Sequence, residues 1–204
     1  MSGMEGFVHN CNENKVEKVE YRKTLRESKL ASEECNLIWD FYVSRSFAAK
    51  TGNPIDLNVC GWKDTISKID GYPALEKALA DNAGILDFCI IRSKKLTDTR
   101  RALDLSNSRI CVSHARAVML QDYGVEANEN EELKYTFVES RIKALFRHMR
   151  NSFAHGNTYF FDNNMVLLED KDGGKITATI LLPVHSLVDW IFIVDKNGNY
   201  YSRE

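Results

Sequence analysis

The sequence predicts a mainly α-helical protein, a helical bundle with a small antiparallel β-hairpin or meander near its C-terminus. Three observations carry that expectation. The 204 residues include only 3 prolines, and long intervals without Gly or Pro leave room for helices. Ile142, Leu145, Phe146, Met149 and Phe153 all fall within about 60° of Ile142 on a helix, a narrow core-facing stripe. Beyond residue 157 the turn signals Asp162-Asn163-Asn164 and Lys171-Asp172-Gly173-Gly174 separate short apolar and Thr-rich runs, the pattern of strand, turn and strand.

In chain order, residues 1–12 read as a mobile tail and 13–30 as a charged segment with a weak helical pattern at Val16, Val19 and Leu25. A helix over 31–50 opens at Ser32, carries Glu34 in its first turn and stops at Thr51-Gly52-Asn53-Pro54. Residues 53–71 are irregular, with a short helical turn around 64–69. Pro73 suits a first helical position, and the run to about Arg92 reads as a helix with a bend or close contact at Gly84. A further helix covers 97–122, entered by Thr97-Asp98 and closed by Tyr123-Gly124. The clearest helix runs over 129–155. The meander occupies 158–182, and Pro183 begins a closing helix at 184–195 whose apolar density suits burial. The whole of 1–204 reads as one domain.

Composition narrows the class. A hydrophobic content of 44% and a charged content of 27% belong to an ordinary globular protein. The net charge of −2 gives no broad basic field, so contact with nucleic acid has to come from a local patch. Five cysteines, an odd count without a CxxC pair, argue against a disulfide framework or zinc knuckle and for buried free thiols. No stretch has the ~18 apolar residues a membrane span needs, and the N-terminus lacks a signal-peptide core. A cytoplasmic protein is expected.

The chemistry gathers in Arg150-Asn151-Ser152-Phe153-Ala154-His155-Gly156, where the clearest helix meets a glycine stop. Taking Ile142 as zero, Arg147 lies near about 140°, Asn151 near 180°, His155 near 220° and His148 near 240°, one face opposite the stripe. Arg150 lies on the flank of that face, near about 80°, so one helix leaves Arg150 and His155 apart. A symmetric partner packed at this face would bring two Arg150 and two His155 around one cleft. Attack by a ribose 2′-OH on its neighbouring phosphate needs a base, an acid for the leaving 5′-oxygen and positive charge on the phosphorane. Histidine moves protons near neutrality and arginine forks onto phosphate oxygens; no metal or other cofactor is required.

The same residues resemble the R-x4-6-H motif of the HEPN superfamily, with a polar residue after the Arg and the motif near the end of a long helix. The resemblance covers roughly residues 129–157. It implies a helical bundle that commonly dimerises and acts as a metal-independent endoribonuclease, often in toxin–antitoxin or phage-defence settings with an antitoxin or defence partner. It maps the catalytic Arg onto Arg150, the polar second residue onto Asn151 and the catalytic His onto His155. One departure stands out. Toxins of this family paired with nucleotidyltransferase antitoxins usually carry Tyr two residues after the His, where Asn157 stands here.

Plainer readings stand beside these. A Gly after a His-bearing last turn is an ordinary helix stop, favoured by the helix dipole. Arg147 and His148 are candidate substrate-binding residues, or else surface charge and a solvated helix histidine. His114 reads as partly buried, and Arg92, Lys94-Lys95 and Arg100-Arg101 form the concentrated basic patch. Trp39, Phe41 and Tyr42 occur at core spacing and are not read as base-stacking platforms. The alternative function is a non-catalytic module of the same family that binds RNA, nucleotides or protein; a purely structural adaptor is a third case.

Overall fold

A six-stranded mixed sheet, not a helical bundle, organises the chain. The structure, a computed structural model, describes residues 6–10, 15–19, 21–22, 24–46, 53–63, 72–85, 87–91, 105, 107–113, 117–119, 135–137 and 140–202. Strands β1 (Gly6–Asn10) and β2 (Lys15–Val19) form an antiparallel hairpin where the sequence suggests a tail and a weak helix. Short β3 (Tyr21–Arg22) and a 3₁₀ turn, Leu25–Glu27, follow.

Helix α1 (Ser32–Trp39) begins at the residue expected to open it: Ala31 is the N-cap, and Glu34 accepts a hydrogen bond from its N–H at 2.9 Å. A π-helical turn, Asp40–Ser44, ends it well short of residue 50, with Arg45 N–H bonded to the Asp40 carbonyl at 2.8 Å. Helix α2 (Pro73–Ala83) does have Pro at its start. It stops at Gly84, whose left-handed backbone (φ 59°) closes the helix, and β4 (Asp87–Ile91) follows where helix is expected. The predicted turn at 64–69 lies outside the described residues.

The helix expected over 97–122 contains β5 (Arg109–Ser113) and β6 (Ala117–Met119), its remaining residues being described only in part. The helix expected over 129–155 is shorter at its start, where β7 (Tyr135–Phe137) stands instead and pairs with β6. It begins as α3 (Arg141–Ala154), capped by the Ser140 hydroxyl, which accepts from Lys143 N–H. The physical reason for these corrections is common to them. Short apolar runs such as Phe88–Ile91 and Ile110–Val112 have no period that separates a strand from a buried helix segment.

The C-terminal part matches its expectation closely. Strands β8 (Thr158–Phe161), β9 (Met165–Asp172) and β10 (Lys175–Pro183) form an antiparallel meander, and α4 (Val184–Val194) closes it. The meander is larger in scope than a decoration, because it is the centre of the sheet β3-β8-β9-β10-β5-β4. Strands β4 and β5 pair in parallel and the other neighbours antiparallel, with a bulge in β10 between Ile176 and Ala178.

Strand alternation divides the sheet's side chains between two faces. Ile110, Val112, Phe160, Val166, Leu168, Ala178, Ile180 and Leu182 join the main core with the apolar faces of α1 to α4. Phe161, Met165, Leu167 and Leu181 form a second cluster with Tyr21, Tyr159 and Leu105. Within the main core the Phe146 ring stacks on Tyr42 at 5.8 Å, meets Phe41 edge-on and abuts Trp190. Tyr42 donates its hydroxyl to the Leu187 carbonyl at 3.0 Å, which ties the π turn to α4. No described helix is long and apolar enough to cross a membrane.

Phe146 links three elements through ring contacts, so Phe146→Ala is expected to lower the free energy of unfolding by about 3–5 kcal/mol. The exposed control Lys143→Ala on the same helix should change it by less than about 0.5 kcal/mol. Urea titration of both variants, followed by circular dichroism, measures the difference.

Candidate functional site

The site is built on the last two turns of α3. Eight residues of that helix are buried, including Ala144, His148 and Ser152 beside the expected stripe. The covered arc is therefore wider than the sequence indicates, because strand β9 packs against α3 on a second side. What remains uncovered is a strip bearing Arg147, Arg150 and Asn151, each half-buried, with Lys143 and Ala154 exposed.

The end of α3 is shaped by its backbone. His155 is the C-cap, and Gly156 follows at φ 65°. The Asn157 N–H bonds to the Ser152 carbonyl at 2.9 Å and the Gly156 N–H to the Phe153 carbonyl at 3.2 Å, the paired bonds of a Schellman stop. The Asn157 carbonyl then accepts from Glu169 N–H, so the chain passes straight into the sheet. His155 is left exposed at the turn. A Cβ at Gly156 would meet nothing within 4 Å, so the demand for glycine there comes from the backbone angle alone.

Inward from the strip lies a hydrogen-bonded network that begins at the Arg150 guanidinium. Its Nη1 donates to Asn151 Oδ1 at 3.3 Å, and Asn151 Nδ2 donates to Asp170 Oδ2 at 3.0 Å. The same carboxylate oxygen lies 2.7 Å from His148 Nδ1, while His148 Nε2 lies 2.7 Å from the Ser113 carbonyl. Both ring nitrogens face oxygens placed to accept a hydrogen bond. Arg147 Nη2 is 3.3 Å from Nε2; a ring N–H given to Ser113 leaves that contact one between two donors. Asp170 Oδ1 takes the Lys171 N–H at 2.9 Å. Burial by itself would raise the Asp170 pKa. The hydrogen bonds from His148 and Asn151, the charge on His148 and the Lys171 amide outweigh it and hold the carboxyl below its ordinary value.

Two placements differ from the sequence reading. His148 is 1% exposed, so it is neither a solvated histidine nor in reach of a substrate; it acts from within, on Asp170. Trp39, assigned by its spacing to the core, is 46% exposed, whereas Phe41 and Tyr42 are buried as expected. The structure brings Arg150, Asn151 and His148 together through Asp170. His155 joins them through its backbone, its N–H donating to the Asn151 carbonyl at 2.9 Å, and its ring stands outside the network. Arg150 Nε is buried without a hydrogen-bond partner. His114 and the basic patch at 92–101 lie outside the described residues.

Asp170 is the residue that sequence reasoning missed. A signal was present: strand parity puts Asp170 on the face of Val166 and Leu168, where a carboxylate has to find a partner. No protein-family model matches the chain, and neither the curated proteins nor the solved structures contain a match.

Asp170→Asn keeps the shape and removes the charge facing His148, so it is expected to cost about 3 kcal/mol of stability in urea unfolding. The sign of the pH effect follows from the lowered pKa. Ionised Asp170 contributes fully above its unfolded pKa of about 4, and the contribution is lost as pH falls through the lower folded value. Unfolding measured from pH 7 down to pH 2 should show a steeper acid loss in the parent protein than in Asp170→Asn.

Proposed function

We propose that the chain is a metal-independent endoribonuclease of the HEPN type, acting at Arg150, Asn151 and His155. The helical bundle implied by that family is not retained; the proposal rests on the motif and on how α3 presents it. The observation that carries it is an arginine and asparagine on the uncovered strip of α3, anchored to a buried Asp170–His148 pair, one turn before an exposed histidine.

In this reading the substrate phosphate lies against the Arg150 guanidinium, whose planar fork matches two non-bridging oxygens and stabilises the phosphorane. A His155 imidazole takes the proton of the 2′-OH as its oxygen attacks phosphorus. A second imidazole protonates the leaving 5′-oxygen as the P–O bond breaks, giving a 2′,3′-cyclic phosphate and a 5′-hydroxyl. In a homodimer packed at the end of α3, each protomer supplies one of the two histidines. Asn151 spans Arg150 and Asp170 and sets the guanidinium's position. Arg147, on the same strip, supplies a further charge for the RNA backbone. His148 serves as a positioning residue. The setting is cytoplasmic, in toxin–antitoxin or phage-defence systems, with an antitoxin or defence partner to restrain cleavage.

Incubating purified protein with RNA in EDTA tests the proposal. Cleavage to cyclic-phosphate ends is expected, reduced about 100- to 10,000-fold by His155→Ala. Arg150→Ala should lose activity, and Arg150→Lys, which keeps charge but not the fork, should recover little. Intact cleavage in His155→Ala would refute the assignment. RNA binding without turnover, unchanged in that variant, would select a non-catalytic RNA-binding module instead.

A further inference from the structure

A cleft of about 550 Å³ opens beside the end of α3, between that helix and α1. Phe153, Gly156 and Thr158 form one wall, and Trp39, Asn36 and Arg26 stand on the other. Phe153 and Gly156 flank His155 in the chain, so the cleft is lined from the same helix end that carries His155. Its volume is in the range of small-molecule sites.

Trp39 is the unusual member. Ile38, Phe41 and Tyr42, its neighbours in the chain, are at most 1% exposed, yet Trp39 itself is 46% exposed. The groups around it suit a flat heteroaromatic ligand. Asn36 offers an amide donor and acceptor, and Arg26 a guanidinium; both are exposed and make no side-chain hydrogen bond among the described residues. Asp40 also lines the cleft, its Oδ2 accepting from the Tyr201 hydroxyl at 2.9 Å, which fixes the carboxylate at one edge. An indole face stacks on any base, an amide reads a base edge, and a guanidinium holds a phosphate.

We propose that this cleft is a nucleobase subsite, in which Trp39 stacks on an unpaired base of single-stranded RNA next to the phosphate held at Arg150. The proposal rests on the ribonuclease reading for the identity of the strand. The cleft's own chemistry carries the recognition of a nucleotide.

Titrating the full chain with AMP and with UMP, by calorimetry and by tryptophan fluorescence, tests the subsite directly. Trp190 is buried and Trp62 donates its Nε1–H to the Val194 carbonyl, which leaves Trp39 as the indole open to a base. Saturable binding with quenching is expected for both nucleotides, and none for inorganic phosphate or ribose 5-phosphate. Trp39→Ala should weaken nucleotide binding about tenfold or more and raise KM for a short RNA more than it lowers kcat. Trp39→Phe should recover part of the affinity, and circular dichroism checks that both variants fold. Lys143→Ala, an exposed control on α3, should bind nucleotides as the parent does. Nucleotide binding without RNA cleavage would overturn the ribonuclease reading and leave the subsite standing. RNA cleavage with no nucleotide binding, or with binding equal in Trp39→Ala, would overturn the subsite alone. A concentration-dependent loss of Trp39 exposure, with dimerisation that Trp39→Ala abolishes, would overturn it in favour of a second copy of the chain.

Discussion

The buried contact between His148 and Asp170 constrains the rest of the site. It joins the middle of α3 to the end of β9 at 2.7 Å, in a place that neither side chain shares with water. A lone carboxylate there would be costly, so its acceptor sites must be filled from nearby, and they are: by His148, by Asn151 and by the Lys171 amide. Satisfying Asp170 draws the Asn151 amide inward, and the amide oxygen then faces the Arg150 guanidinium. Buried ion pairs add little net stability against a well-packed apolar alternative, and what they specify is geometry. The geometry specified here is the setting of an arginine on the strip of α3 that stays uncovered.

The backbone supplies the second constraint. The Schellman stop at Gly156 turns the chain out of α3 and directly into β8, which fixes where the exposed histidine stands relative to the sheet. Because β9 packs against α3, the helix end cannot shift without disturbing the Asn157–Glu169 bond and the Asp170 network together. The Trp39 cleft shares this support: its inner wall is Phe153, whose ring also packs on Tyr42. A rigid aromatic core therefore lies behind both the motif and the cleft.

Legibility in the sequence differed sharply between elements. The stripe on α3, its glycine stop, the two hairpin turns and the apolar helix after Pro183 all express local rules of period, capping and turn geometry. Each of these is where the sequence places it. Strands β4 and β5 are not, since their four- and three-residue apolar runs fit a buried helix as well as a strand. The start of α3 is hidden for a related reason: the short run Tyr135-Thr136-Phe137-Val138 fits a helix as well as a strand. At the site, Arg150, Asn151 and His155 were readable as chemistry-bearing residues in a terminal turn. The angular position of a residue says nothing about what packs above it, so neither the burial of His148 nor the exposure of Trp39 is legible there.

The sequence by itself determined an amphipathic helix ending in Arg-Asn-x-x-x-His-Gly, a following meander and a buried closing helix. Those features follow from residues within a few positions of one another, where helix period, the left-handed freedom of glycine and turn chemistry act directly. Only the tertiary structure decided that the meander is the centre of a six-stranded sheet, and that this sheet covers a second side of α3. It alone decided that Asp170 holds Asn151 through a buried His148, and that Trp39 faces a cleft rather than the core. These depend on pairings between segments far apart in the chain. A hydrophobic pattern records that a face is to be buried, but not which partner buries it or which polar group the partner brings.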